Sequence, residues 1–226
     1  MRKFHLVILL FLGSLLTGCI EIIDDLTLNL DGSGTFKYNL NLSSSKVKIN
    51  SILALDSLDG KKVPSLDEIK MKVARIETQL NEQEGISDAE IVSDYTNYVF
   101  KLSCNFTSLS DLQNAMKNVI VTENHNTPIP KLDYNWLIFD DNKLERSVPE
   151  VTIEKSKGIK EKDRNLLKAG SYTSITRFES EVDTFDNENA ILSANKKAVM
   201  IRTDPYSLTQ NPQLLDNVIY LKKSQE

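Results

Sequence analysis

Cys19 and Cys104 are the only thiols of this 226-residue chain, and His5 and His125 are its only imidazoles. Those four side chains bound the nucleophilic and metal chemistry on offer. Cys104 lies in Asn97-Tyr98-Val99-Phe100-Lys101-Leu102-Ser103-Cys104-Asn105-Phe106, where every even position is apolar. Strand alternation puts it on a buried face with Tyr98, Phe100, Leu102 and Phe106, a core cysteine and not a nucleophile. His125 sits in the polar stretch Glu123-Asn124-His125-Asn126. A Ser/His/Asp hydrolase would have to use it, and the chain has no G-x-S-x-G elbow. A solvent-exposed loop histidine is expected. One such histidine and one buried thiol do not supply the usual zinc sites. Cys19 differs from Cys104: it follows an apolar run and the small residues Thr17 and Gly18.

Oxygen ligands add little to this chemistry. Setting Gly32 at the sixth position of a calcium loop puts Thr27, Asn29 and Asp31 at the first, third and fifth, but Tyr38 where the closing glutamate belongs. A hairpin turn fits better, because leucines alternate before it. Asp183-Thr184-Phe185-Asp186-Asn187-Glu188-Asn189 reads as a solvated turn, with weak calcium binding as the alternative. No glycine-rich phosphate loop is present. Paired carboxylates are too many to single out a glycosidase pair. The expectation is therefore no catalytic residue, no metal and no cofactor. With 27 basic and 32 acidic residues the net charge is −5, and no basic cluster interleaved with aromatics marks a nucleic-acid surface. Phe36, Tyr38, Tyr98, Phe100, Phe106, Tyr134, Trp136 and Phe139 fall on strands. They fill a core or, on a curved sheet, line an apolar pocket.

The elements that carry these residues begin with Met1 to Cys19. Arg2 and Lys3 precede the apolar run Leu6 to Leu12, which Gly13 and Ser14 interrupt. The run is short of the ~20 residues a spanning helix needs, and its flanks are those of a cleaved export signal. Leu16-Thr17-Gly18-Cys19 resembles the lipobox of bacterial lipoproteins. That resemblance implies diacylglycerol on the Cys19 thiol, cleavage between Gly18 and Cys19, and acylation (palmitate or a similar chain) of the new amino group. Each buried methylene adds ~0.8 kcal/mol of membrane affinity, and two chains or more give stable attachment. The implied location is the bacterial cell membrane or outer membrane, outside the cytoplasm. Residues 1–18 would be the signal peptide and 19–226 a single mature domain. Cys104 would then have no partner for a disulfide.

Along the mature chain, Leu26 to Leu30 and Phe36 to Leu42 alternate around Asp31-Gly32-Ser33-Gly34, predicting a hairpin with almost no stalk before it. Ser43 to Ser45 cap a helix through Leu58, ended by Asp59-Gly60. Ser65 to Glu68 is a capping box for a helix with Ile69, Val73, Ile76 and Leu80 on one face. Ile86 to Phe106 holds one or two strands. Ser108 or Ser110 opens a short helix, with Leu112, Met116 and Val119 inward. Thr122 to Lys131 reads as a loop, Tyr134 to Phe139 and Lys143 to Val148 as strands, and Lys160 to Ala169 as a small helix. Tyr172 to Val182 is a long strand, Ala190 to Thr203 a hairpin about Asn195-Lys196, and Val218 to Leu221 a last strand.

Two stretches carry a second resemblance. Ile23-Asp24-Asp25-Leu26-Thr27-Leu28-Asn29-Leu30-Asp31-Gly32-Ser33-Gly34 is one. Tyr172 to Val182 followed by Ala190 to Val199 is the other. Both look like bacterial lipoproteins with an LppM-like domain directly after the lipobox. This implies an α+β envelope domain, lipid binding in some members, and no catalytic residues to carry over. The expected architecture is α+β: a mostly antiparallel sheet with helices packed on one face. The expected role is a non-catalytic binding module, held on a membrane by lipid on Cys19, that takes an apolar ligand or an envelope protein partner. The alternative is a lipoprotein hydrolase, and a third possibility is a structural spacer.

Overall fold

The computed structural model describes residues 20–123, 134–148 and 167–223. Strand β1 (Glu21–Leu28) begins at once, and Asp24, Leu26 and Leu28 are its buried residues. It returns as β2 (Gly34–Asn41), in register from Glu21–Asn41 to Leu28–Gly34. Asp31 shapes the turn: its Oδ1 accepts from the Ser33 N–H at 2.9 Å and from the Ser33 hydroxyl at 2.6 Å. Only glycine fits at 34, since a Cβ there would lie 1.9 Å from the Thr27 carbonyl oxygen.

A 3-10 turn (Ser43–Ser45) leads into helix α1 (Lys46–Leu53). The expected helix to Leu58 is thus cut short. Ser57–Leu58 and Lys61–Lys62 form the small hairpin β3–β4 instead. Asp59 and Gly60, at φ 52° and 76°, give the mirror-image turn that matches hairpin twist, and this local preference displaces the last helical turn. Helix α2 (Leu66–Asn81) opens on the predicted capping box: Ser65 Oγ accepts from Glu68 N–H at 3.1 Å, and Glu68 Oε2 from Ser65 N–H at 2.7 Å.

Strands β5 (Ile86–Asp94) and β6 (Val99–Phe106) are the expected pair. Helix α3 (Leu109–Glu123) runs to Glu123, beyond the expected start of the loop at Thr122. Strands β7 (Leu137–Asp140) and β8 (Lys143–Arg146) follow, with Asp141 and Asn142 at positive φ between them. The predicted long strand Tyr172 to Val182 is two strands. β9 (Ser171–Phe178) ends, and β10 (Val182–Phe185) joins a different sheet. Glu179, Ser180 and Glu181 supply the polar break. β11 (Ala190–Leu192) and β12 (Ala198–Thr203) form the hairpin about Lys196, at φ 57°. Helix α4 (Pro205–Gln210), a 3-10 turn (Pro212–Leu215) and β13 (Asn217–Leu221) complete the order. The helix expected from Lys160 to Ala169 lies almost wholly outside the described residues.

Seven strands form one sheet in the order β11-β12-β9-β1-β2-β6-β5, and four form a second, β10-β13-β8-β7. Among the described residues every pairing is antiparallel except β1 with β9. The fold is α+β. Helices pack on one face of the large sheet as the pattern predicts, and the second sheet shares that core with them. Leu26, Leu28, Phe106, Phe178 and Val199 of the large sheet meet Leu80, Leu112 and Ala115 of α2 and α3, and Leu137, Leu144, Val182 and Ile219 of the small sheet, in one core.

Candidate functional site

Along β1 the inward positions are Ile22, Asp24, Leu26 and Leu28. At the Leu28 end the space is filled: Gly34, Phe106 and Phe178 stand on the same rung, and Leu28, Phe106 and Phe178 are at most 4% exposed. At the other end it is not. A cavity of about 650 Å³ lies against Ile22, Asp24 and Leu26. Its walls are Phe36 and Leu102 from the sheet, Ile76 and Leu80 from α2, Met116 and Val119 from α3, Trp136 and Leu137 at the start of the small sheet, and Leu208 and Leu215 near the C-terminus. Packed cores leave few voids larger than a water molecule. Small-molecule sites run from roughly 300 to 1,000 Å³ and are lined mostly by apolar side chains. By size and lining this cavity belongs with the second group.

A buried polar cluster forms one part of its wall. Asp24 occupies a position that alternation reserves for an apolar side chain, and only 5% of its side-chain surface is exposed. Arg146, at the end of β8, donates from Nη2 to both Asp24 oxygens at 2.9 and 3.0 Å. Ser174 Oγ donates to Oδ1 at 3.1 Å, and the Tyr172 hydroxyl donates to Oδ2. Register explains the convergence: β9 runs parallel to β1 with Ser174 beside Asp24 and Tyr172 beside Ile22, while Tyr38 stands opposite Asp24 on β2. Burial pushes the Tyr172 hydroxyl well above its usual range, and the Asp24 charge adds to the effect. Burial and the same charge push Tyr38 up to about 12. Both phenols stay protonated at any ordinary pH. The Arg146 Nε–H is buried without a hydrogen-bond partner.

Gln113 of α3 positions another wall. It is 1% exposed and all its bonds are internal. Nε2 donates to the Leu109 and Leu137 carbonyls at 3.0 Å each, and Oε1 accepts from the Trp136 and Leu137 N–H groups at 2.8 and 3.0 Å. The amide therefore staples the small sheet to α3 and fixes Trp136 against the cavity.

Cys104 is where alternation put it, on the inward face and 2% exposed. Burial raises its thiol to about 11. Gly18, Cys19 and His125 lie outside the described residues, which contain no histidine. Asp31 to Gly34 is a turn. In Asp183 to Asn189, Asp183, Thr184, Asp186, Glu188 and Asn189 are exposed, as a solvated turn requires, and Asn187 Nδ2 donates to the Leu214 and Asp216 carbonyls. Among the described residues no group of three or more His, Cys, Asp and Glu side chains could hold a metal ion. Also among them, no helix is long and apolar enough to cross a membrane. The aromatics divide: Phe36, Tyr38 and Trp136 line the cavity, while Tyr98 and Phe106 are buried. Nothing in the local sequence marks Arg146, Tyr172 or Gln113 as residues of a site. For Asp24 a signal existed, an acid on the inward rung between Ile22 and Leu26.

No family model matches the chain, and no curated protein matches it. Among solved structures, the NMR structure of the folded domain of the Mycobacterium tuberculosis LppM protein is similar over 92% of this chain and 93% of that one. The identity is 9% and the TM-score 0.44.

Proposed function

We propose that the protein is a cell-envelope lipoprotein that binds an apolar ligand in the cavity beside β1 and carries out no catalysis. The cavity carries this reading. Its walls are dominated by leucine, isoleucine, methionine and aromatic side chains, and Asp24, its buried carboxylate, is tied up in hydrogen bonds. A hydrolase would need a nucleophile and a base facing the same space. The described residues bring no such pair to the cavity.

Lipid on Cys19 supplies the location in this reading. From Cys19 to Ile22, the first cavity residue on β1, three residues reach about 10 Å. The cavity end of the sheet is therefore the end held at the membrane, and an acyl chain leaving the bilayer has the shortest path to it. Uptake of N-phenylnaphthylamine, which fluoresces in apolar surroundings, tests the binding. One molecule per chain should bind, and Leu102→Trp, which fills the cavity from its wall, should abolish uptake. Uptake unchanged by Leu102→Trp would place the dye elsewhere and remove the support for the reading.

A further inference from the structure

We propose that helix α1 and the β3–β4 hairpin form a second membrane contact, laid on the surface of the bilayer that holds the Cys19 lipid. This rests on reading Cys19 as lipid-anchored and is independent of what the cavity holds. The end rung of the large sheet is Glu21–Asn41–Val99–Asp94. Glu21 lies two residues from Cys19, so this rung is held within about 7 Å of the anchor. Helix α1 is fastened to the same end. Leu42 N–H donates to the Tyr98 carbonyl at 3.0 Å, the hydroxyl of the buried Tyr98 donates to Asn50 Oδ1, and Lys46 Nζ donates to Asn97 Oδ1 at 3.3 Å. Neighbouring strands lie ~4.8 Å apart, so β6 and the helix tied to its start stand about 10 Å to the side of β1.

This segment stands off the core and shows solvent an apolar face. None of the eight residues of α1 is buried, and both strands of the hairpin are exposed. Val47, Ser51, Ala54 and Leu55 are all exposed, and their spacing of four, seven and eight residues makes one helical face. Val47, at 79%, is the most exposed large apolar side chain among the described residues, and Leu55 and Leu58 of the same segment are 47% and 38% exposed. Residues 46–62 carry four lysines against two aspartates, in a chain whose net charge is −5. Exposed apolar side chains flanked by lysines suit a segment lying in the headgroup layer, with the apolar groups at the acyl boundary and the ammonium groups at the phosphates. A free helix of this length would bind a membrane weakly. A tether of about 7 Å keeps the surface always in reach, so that a weak contact is enough to set the domain's orientation. The same tether selects the occupant, since a protein partner on this face would have to enter the narrow space between domain and bilayer.

Cys104 is buried and Cys19 is acylated in this reading, so a cysteine introduced on the surface takes the only label. Full-length protein carrying nitrobenzoxadiazole at Val47→Cys, Leu58→Cys or Leu30→Cys is reconstituted into vesicles of equal parts phosphatidylglycerol and phosphatidylcholine. The vesicles are prepared with and without doxyl groups high on the acyl chains, and flotation scores attachment. Leu30 matches Leu58 in exposure, at 40%, and lies beyond the far end of β1, about 25 Å from the Glu21 rung. The doxyl lipid should quench the labels at positions 47 and 58 roughly twofold or more and leave the label at position 30 nearly unchanged. Adding Leu55→Asp and Lys61→Glu to Val47→Cys should bring its label to the level seen at position 30. Quenching at positions 47 and 58 no greater than at position 30 in floated protein, or quenching unmoved by the added pair, overturns the proposal and leaves the Cys19 anchor standing. Wild-type protein that does not float with the vesicles overturns both.

Discussion

Arg146 and Asp24 stand 122 residues apart and meet at 2.9 and 3.0 Å, one from each of the two sheets. The pair closes the polar wall of the cavity and ties the small sheet to the central strand of the large one. Removing one partner of a buried pair strands the other charge, which costs about 3–5 kcal/mol, whereas replacing both with apolar residues is often neutral or stabilising. Asp24→Leu alone and Arg146→Met alone should each lose about that much in urea unfolding. The double substitution should return to within about 1 kcal/mol of wild type. Additive losses would show that the two residues do not act as a unit.

Gln113→Leu keeps volume and removes the amide that serves four backbone groups. The Trp136 and Leu137 N–H groups are then left buried and unpaired, at about 1–3 kcal/mol each. A stability loss of about 2–4 kcal/mol is expected, together with a red shift of Trp136 emission as the cavity wall loosens. An unshifted spectrum would mean that the tryptophan is positioned by other contacts.

Cys104 combines near-complete burial with a thiol raised to about 11. Reaction with a thiol reagent at pH 8 should be negligible in the folded protein and complete in guanidinium, since the thiolate is the reacting species. Fast labelling of folded protein would contradict the assigned register of β6.

Glu123, at the end of α3, accepts from Arg75 of α2 at 2.7 and 2.9 Å, with Lys72 Nζ at 3.5 Å. The hydrogen bond from Arg75 is the main cause that lowers the carboxyl from 4.5 to about 2. A depressed carboxylate contributes its full stabilisation above its unfolded value and loses it as pH falls through the folded one. The stability gap between wild type and Glu123→Gln should hold steady above about pH 4.5 and close progressively towards pH 2. A gap that is flat across this range would exclude the clasp between α2 and α3.

Alternation and turn chemistry made much of the fold legible in advance. The β1–β2 hairpin, the Ser65 cap and the inward Cys104 all follow from local pattern, and local pattern needs no knowledge of the rest of the chain. The split of Tyr172–Phe178 from Val182–Phe185 depends on which sheet each half joins, a long-range choice. The same holds for the cavity. Ile22, Leu102, Met116 and Leu215 look like any core residues, and nothing in their spacing records that they fail to touch. Arg146 reads as the polar end of a short strand until the Asp24 rung meets it.

Native mass spectrometry of the protein released from the membrane tests the central claim, that the cavity holds an acyl-chain ligand, most directly. The expected spectrum shows one bound acyl-chain molecule per chain, lost in Leu102→Trp while that variant stays folded. A bare chain mass from wild-type protein, unchanged after incubation with methyl dibromostearate, would contradict it.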